Sequence, residues 1–146
     1  MSYTDFLAAH ARALAAAEAT LAVHGLAGRV RMPALAADLA ALGATMPPPL
    51  QLTLDWPGAW GARYVVEGSR LGGAMLARQV GSGLPRAYLA AVHGPGEWRA
   101  LRGEIDTAAV GADEPWQASA LAGAHATFAL YRAAAERSPD APVEPA

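Results

Sequence analysis

Four glycines inside one helical stretch are the most informative residues of the sequence. Gly61, Gly68, Gly72 and Gly73 lie in an apolar segment that otherwise favours helix. A glycine costs about 1 kcal/mol relative to alanine inside a helix, so the four together cost about 3 to 4 kcal/mol. Gly68 and Gly72 are four residues apart and therefore share one face. The backbone of this helix is predicted to bend there, or to approach another group closely.

Two interpretations of these glycines stay open from spacing alone. Glycines separated by three residues allow two helices to pack with their backbones in close contact. The same bare backbone could instead lie against a flat, bulky ligand, because a glycine helix has no side chains to keep such a ligand away. The first interpretation makes the segment structural, and the second makes it a binding site.

Two of the four histidines fall on the buried stripe of the first predicted helix. Leu7, Leu14 and Leu21 recur every seven residues and define that stripe. His10 and His24 lie on it, about 21 Å apart along a helix, so they cannot bind one metal ion together. Both are predicted to be partly buried and hydrogen-bonded. If one of them is a metal ligand, His10 is the first choice.

The remaining candidate side chains give weaker signals. His93 lies in a Gly/Pro turn and is predicted to be solvent-exposed, whereas His125 is predicted to pack beside Phe128. Glu67 and Asp106 are isolated carboxylates without a visible partner. The sequence contains no nucleophile elbow, phosphate loop or His-Glu-x-x-His motif, so it indicates none of those chemistries.

The elements that must position these residues are almost all helical. The segment around 47–49 is too rich in proline for helix, and only residues 50–54 alternate as a strand would. We expect an all-α bundle of about six helices in one domain, residues 1–137, followed by a flexible Pro-rich tail, residues 138–146. The predicted helices cover residues 4–23, 33–43, 57–80, 86–92, 97–107 and 116–137.

The composition excludes several classes of protein. The chain has 146 residues, a net charge of −2 and no cysteine, so disulfides, thiolate metal sites and cysteine nucleophiles are excluded. The near-neutral charge disfavours a nucleic-acid-binding face. No signal sequence is visible, and no uncharged apolar run reaches the roughly 20 residues of a membrane span. A soluble cytoplasmic domain is predicted, with no membrane or nucleic-acid partner.

The glycine segment resembles the distal helix of haem oxygenases, and most closely the bacterial branch that produces biliverdin. The residues that carry this resemblance are Arg63 to Arg78, with the sequence RYVVEGSRLGGAMLAR. Tyr3 to His10 resembles the second helix of the family, and PALAADL, from Pro33, resembles the next helix. PGEWRAL, from Pro95, and ATFALY, from Ala126, resemble later helices. The resemblance covers about residues 3 to 136.

This resemblance implies a haem site on the glycine helix. In the family, haem is both cofactor and substrate, and its degradation yields biliverdin, carbon monoxide and iron. Gly68, Gly72 and Gly73 would form the distal wall. Ser69, beside Gly68, would hold the distal water that delivers protons, at a position where many members have aspartate. An external electron donor is implied, because the sequence has no flavin or iron–sulfur motif.

The resemblance also implies partners for the haem propionates. Basic residues from the corresponding regions of the family pair with these carboxylates, a role that suits the forked guanidinium group. Solvated helix faces are the alternative for each of them. The candidates are Arg63, Arg70, Arg99 and Arg102.

The iron ligand of the family lies on a helix that precedes the part matching Tyr3. Three explanations stay open: a natural truncation, a substitute ligand such as His10, or a gene start upstream of Met1. Without that helix the haem groove would be open. The rival function is therefore a non-catalytic interaction or tetrapyrrole-binding module, whose groove is covered by a second copy or a partner helix.

Overall fold

The computed structural model describes residues 1–137 as five α-helices, and no residue in that range belongs to a strand. The predicted all-α fold is confirmed, and the predicted tail at 138–146 lies outside the described residues. The helices are α1 (Tyr3–Val23), α2 (Met32–Ala41), α3 (Trp56–Gln79), α4 (Glu97–Ala108) and α5 (Glu114–Glu136).

Short polar side chains fix the starts of the three long helices. Ser2, Asp55 and Asp113 each accept a hydrogen bond from the backbone N–H three residues further on, at 2.9 to 3.0 Å. Such caps satisfy backbone donors that have no partner inside the helix. At the other end of α1, Gly25 adopts a positive φ of 70°, a conformation in which glycine avoids the strain of a side chain.

The prediction of a short helix at residues 86–92 is wrong. This segment forms only hydrogen-bonded turns. The side chain of Asp38, on α2, accepts the backbone N–H groups of Ala87 and Tyr88 at 3.1 and 2.9 Å. Because these donors are held by a distant carboxylate, the segment is stabilised by tertiary contacts and not by a helix of its own.

The alternating segment 50–54 is extended but does not pair as a strand. Leu50 donates its N–H to the carbonyl of Arg12 at 3.0 Å, and the carbonyl of Leu54 is 2.8 Å from Nε2 of His24. Its alternate leucines are half-buried. The alternation therefore reflects packing along α1, since no second strand pairs with it within residues 1–137.

Helix α1 is the central helix of the core. Its leucine stripe is fully buried, as the seven-residue spacing predicts. Helix α1 is also long and apolar enough to cross a membrane, but 61% of its apolar window is buried inside the fold. That burial is typical of a core helix. The stripe consists of Leu7, Leu14 and Leu21.

Helices α1 and α3 run antiparallel. The end of α1 meets the start of α3, where the rings of His24 and Trp56 are 6.0 Å apart. The start of α1 meets the turn that follows α3, where the hydroxyl of Tyr3 donates to the carbonyl of Pro85 at 2.7 Å.

Helix α5 also runs antiparallel to α1, and hence parallel to α3. Arg12, in the first half of α1, donates to the carbonyl of Ala134, near the end of α5, at 3.4 Å. Arg137 lies beside the first turns of α1. Because α3 and α5 share a direction, residues further along one helix meet residues further along the other.

Candidate functional site

Gly61 is a helix-packing glycine. A Cβ atom on Gly61 would clash with the carbonyl of Ala120 and would lie 2.8 Å from the backbone nitrogen of Ala124. Gly123 on α5 is pressed in the same way against the backbone of Gly58 on α3. The first half of α3 is therefore in backbone contact with α5, and the helix-packing interpretation holds for this part.

Gly73 packs against the loop between α3 and α4. A Cβ atom there would lie 2.8 Å from the carbonyl oxygen of Leu89. The residue is buried. Its missing side chain is thus explained by the close approach of a loop backbone.

Gly68 and Gly72 differ from the other two glycines, because no backbone of residues 1–137 lies where their side chains would be. A Cβ atom on Gly72 would meet no heavy atom within 4 Å, and one on Gly68 would meet only the ring of Trp98, at 3.4 Å. They follow Gly61 by seven and eleven residues, so they lie on the same side of α3. Packing against described residues therefore does not explain them.

Phe128 is an exposed aromatic residue on the side of α5 that meets α3 at Gly61. It follows Ala124, the α5 residue that meets Gly61, by four residues and so lies on the same side of its helix. Since α3 and α5 are parallel and Ala124 is level with Gly61, Phe128 is level with about Val65, one turn before Gly68. Its side chain is 59% exposed. We call the feature formed by Gly68, Gly72, Trp98 and Phe128 the glycine groove.

Exposed apolar side chains continue beside the glycine groove. Leu71 is 53% and Met75 64% exposed, and both lie four residues apart on α3. Large exposed apolar patches on soluble proteins mark sites of ligand binding or association. Helix α3 is continuous through all four glycines, and the bend expected there stays a prediction.

Ser69 points its hydroxyl group at polar atoms of the protein. Its Oγ is 2.6 Å from the carbonyl of Val66, to which it donates, and it accepts a hydrogen bond from Nη2 of Arg31 at 2.6 Å. The hydroxyl proton of Ser69 is therefore already in a hydrogen bond, and one lone pair of its Oγ can still accept from a further donor. The residue is half-buried, next to Gly68 in the chain.

Arg31 is a site residue that sequence reasoning missed. Its side chain is buried, donates to Val66 and Ser69, and lies 5.2 Å above the ring of Tyr88. The carboxylate of Glu18 accepts the backbone N–H of Arg31 at 2.6 Å, and burial raises the pKa of that carboxyl group. The position of Glu18 within the leucine stripe of α1 is a sequence signal for a buried carboxylate. Arg31 lies in a loop, where no sequence pattern predicts burial.

Two of the predicted propionate partners are paired within the protein. Arg70 is buried, with Nε 2.6 Å from Glu67 and Nη1 2.9 Å from the carbonyl of Ala91. The view of Glu67 as an isolated carboxylate is therefore wrong. Arg63 is 2.7 Å from the exposed carboxylate of Glu104.

Arg99 and Arg102 are exposed on α4. They line a shallow depression together with Tyr64 of α3, and the guanidinium of Arg102 is 6.0 Å from the ring of Trp98. Trp98 is itself a wall of the glycine groove. These two arginines are thus close to one end of the groove and keep their charge accessible. Asp106 lines the same depression.

His10 lies in a buried aromatic cluster. Its Nδ1 is 2.6 Å from the hydroxyl of Tyr88, and its ring is 5.5 Å from that of Tyr131. Burial, with the charge of Arg31 as a smaller cause, lowers the pKa of His10 to about 4. The predicted hydrogen-bonded histidine is confirmed, and its candidate role as an iron ligand would require it to leave this cluster.

The buried His10 predicts acid-sensitive stability. The folded pKa of about 4 lies below the ordinary histidine value of 6.5, so the buried neutral ring costs the fold nothing above pH 6.5 and lowers its stability increasingly as the pH falls towards 4. Between pH 7 and pH 4.5 we expect His10 to cost the fold about 2 to 3 kcal/mol. Urea unfolding of the wild type and of His10→Asn measures this, because only the difference between their pH profiles belongs to His10. Identical profiles would contradict the prediction.

The other histidines differ from expectation in two cases. His24 is hydrogen-bonded, as predicted. His93 is half-buried, with Nε2 2.9 Å from the carbonyl of Glu67, because the loop folds back on α3. His125 does not pack in the interior but is exposed on α5, one turn before Phe128.

Comparison with known proteins decides the family. A heme oxygenase of Xanthomonas campestris pv. campestris (strain 8004) is 36% identical over 161 aligned positions, which cover 94% of this chain and 92% of the relative. The chain belongs to the haem oxygenase family. No family model and no solved structure matches it.

Membership of the haem oxygenase family gives the open glycines a context. The family implies haem as substrate and ligand, and a flat apolar ring needs a surface without projecting side chains. In this haem oxygenase family member, no backbone of the described residues occupies the side-chain positions of Gly68 and Gly72, and the position at Gly72 is open. The glycines that packing explains, Gly61 and Gly73, need no ligand to account for them.

Proposed function

We propose that this protein binds haem in the glycine groove and degrades it oxidatively to biliverdin, carbon monoxide and iron. The observation that carries the proposal is the open backbone at Gly68 and Gly72 in a chain that is 36% identical to a heme oxygenase. Haem supplies the iron chemistry that activates dioxygen, and its own ring is the substrate. Electrons would come from an external donor, and the cytoplasm is the expected compartment.

The groove fits a flat, apolar macrocycle. Its floor at Gly72 has no atom in the place of a side chain, and Phe128 would add an exposed aromatic ring. Burying the exposed parts of Phe128, Leu71 and Met75 under a ligand would release ordered water and favour binding by about 25 cal/mol per Å². Gly73, the next residue after Gly72, lets the backbone of Leu89 pack closely against α3 and so holds this part of the helix in place.

The propionates of haem would be held mainly by Arg99 and Arg102. Both are exposed beside Trp98, so they can pair with a carboxylate without breaking an existing ion pair. Arg63 would have to exchange the exposed carboxylate of Glu104 for a propionate, and an ion pair with one partner open to water contributes little. Arg70 is the least suited, because leaving Glu67 would strand a buried charge.

Ser69 would hold a water molecule at the distal side. The free lone pair of its Oγ can accept a hydrogen bond from water, while its own proton stays on the carbonyl of Val66. Ser69 would thus fix the position of the water without donating to it. The water is then free to direct its second proton to the reacting centre above Gly68.

Three histidines could ligate the haem iron: His10 or His125 of this chain, or a histidine from outside it. His10 would have to give up its contact with Tyr88. His125 is exposed on α5 and one turn from Phe128. A histidine supplied by another segment or another molecule is the third source. His10→Ala and His125→Ala in the haem complex distinguish them, since loss of the ligand changes the Soret spectrum.

A haemin titration tests the proposed function. We expect a stoichiometric Soret band with the wild type, and biliverdin when ascorbate is added. Phe128→Glu places a charge in the apolar groove and should weaken haem binding at least about tenfold. Val23→Glu is the matched control, because Val23 is also an exposed apolar residue but lies at the end of α1. A broad free-haemin spectrum with the wild type would overturn the proposal.

The exposed apolar residues also favour a second candidate function. Leu71, Met75, Leu121 and Phe128 are all more than half exposed, and a second copy of the chain or a partner helix would bury them. In that case the protein is a non-catalytic interaction or tetrapyrrole-binding module. Sedimentation of the protein with and without haemin separates the two, because haem and a second copy would compete for this surface.

A further inference from the structure

Arg31 carries a buried guanidinium that forms no ion pair with a carboxylate of residues 1–137. Its side chain is only 4% exposed, and its guanidinium donates to two neutral acceptors, the carbonyl of Val66 at 2.7 Å and Oγ of Ser69 at 2.6 Å. Its Nε is also buried without a hydrogen-bond partner. Burying such a charge costs free energy, so the position of Arg31 needs an explanation.

Arg70 shows that this arrangement is not the general one. Arg70 is equally buried, at 3%, and lies one residue after Ser69. Its Nε is paired with Glu67 at 2.6 Å. Glu18, the carboxyl group beside Arg31, receives the backbone N–H groups of Arg31 and Met32 instead of the guanidinium. The fold thus pairs the guanidinium of Arg70 directly with a carboxylate, whereas the guanidinium of Arg31 has no such pair within residues 1–137.

We propose that Arg31 is a positioning residue of the distal wall, which fixes the hydroxyl of Ser69 and supplies the positive charge that favours anions at the glycine groove. This inference rests on the proposed haem site. Ser69 cannot donate towards the groove, since its proton lies on Val66. The guanidinium that donates to Ser69 is a fixed positive charge at this point, and it would stabilise negative charge in the groove.

Anionic and neutral ligands of ferric haem separate charge from structure. We expect Arg31→Gln to weaken azide binding by about tenfold and to leave the binding of neutral imidazole at pH 8 within about twofold, since only the anion feels the lost charge. Arg31→Lys should restore azide affinity. Arg12→Gln is the matched control, because Arg12 is buried but donates to Ala134, remote from Ser69.

Three results would overturn the inference. Equal losses for azide and imidazole would make Arg31 purely structural, and unchanged affinity for both would remove its charge from the site. The third result comes from a salt titration of the wild type alone, so this test remains possible even if Arg31→Gln fails to fold. A steep fall of azide affinity with salt would assign the charge to exposed arginines such as Arg99, because buried charges are weakly screened.

The proposed function fails in a different way. A wild type that binds no haem overturns both proposals at the first titration. A wild type that binds haem, with azide affinity independent of Arg31, overturns this inference alone.

Discussion

Gly61→Leu is expected to prevent the protein from folding to its native bundle. A side chain at this position would meet the backbone of Ala120 and Ala124, and backbone cannot rotate away as a side chain can. The α3–α5 contact would have to open, which exposes the core between the two helices. We expect a loss above about 4 kcal/mol, close to the whole stability of a typical domain. Far-UV circular dichroism and urea unfolding measure it.

Gly103→Leu is the matched control for this experiment. Gly103 lies inside α4, is exposed, and a Cβ atom there would meet nothing within 4 Å. The same substitution should therefore leave the fold intact and stabilise it by up to about 1 kcal/mol, because leucine is a better helix former. If Gly61→Leu unfolds with the same midpoint as the wild type, the close packing of α3 on α5 is wrong.

The helices could be predicted because their signals are local. Ser2 and the glycine at 25 bound α1, and prolines stand in the first turn of α3 and α5. One prediction failed, the short helix at residues 86–92, because this segment takes its shape from a distant partner, Asp38. Residues 50–54 likewise take their extended shape from α1. A short segment whose backbone hydrogen bonds end on another element carries no local pattern that reveals it.

The candidate site could be predicted only in part, because residues of the same type have different neighbours in the fold. Four glycines share one helix, yet Gly61 and Gly73 meet backbone while Gly72 meets open space. Sequence spacing cannot separate these cases, since the difference comes from α5 and from a loop. Arg31 was missed for a related reason: a loop residue becomes part of the site only when α2 brings it against α3.

Gly72→Leu is expected to abolish haem binding while the protein stays folded. A Cβ atom at Gly72 has nothing within 4 Å, so the leucine is tolerated by the fold. Its side chain would stand in the groove, where a flat ring has to approach the helix backbone. We expect haem affinity to fall at least about a hundredfold, because the ring and the leucine cannot occupy the same space. A Soret titration measures the affinity, and urea unfolding checks the fold.

Gly61→Leu is the variant against which Gly72→Leu is compared, because it separates loss of the fold from loss of haem binding. Both substitutions put the same side chain on the same side of α3, eleven residues apart. If the glycine groove is the haem site, one variant loses the fold and the other loses only the ligand. Haem binding by Gly72→Leu with unchanged affinity would place the site elsewhere, and the exposed apolar residues beside Gly72 would then be explained better by a second copy of the chain.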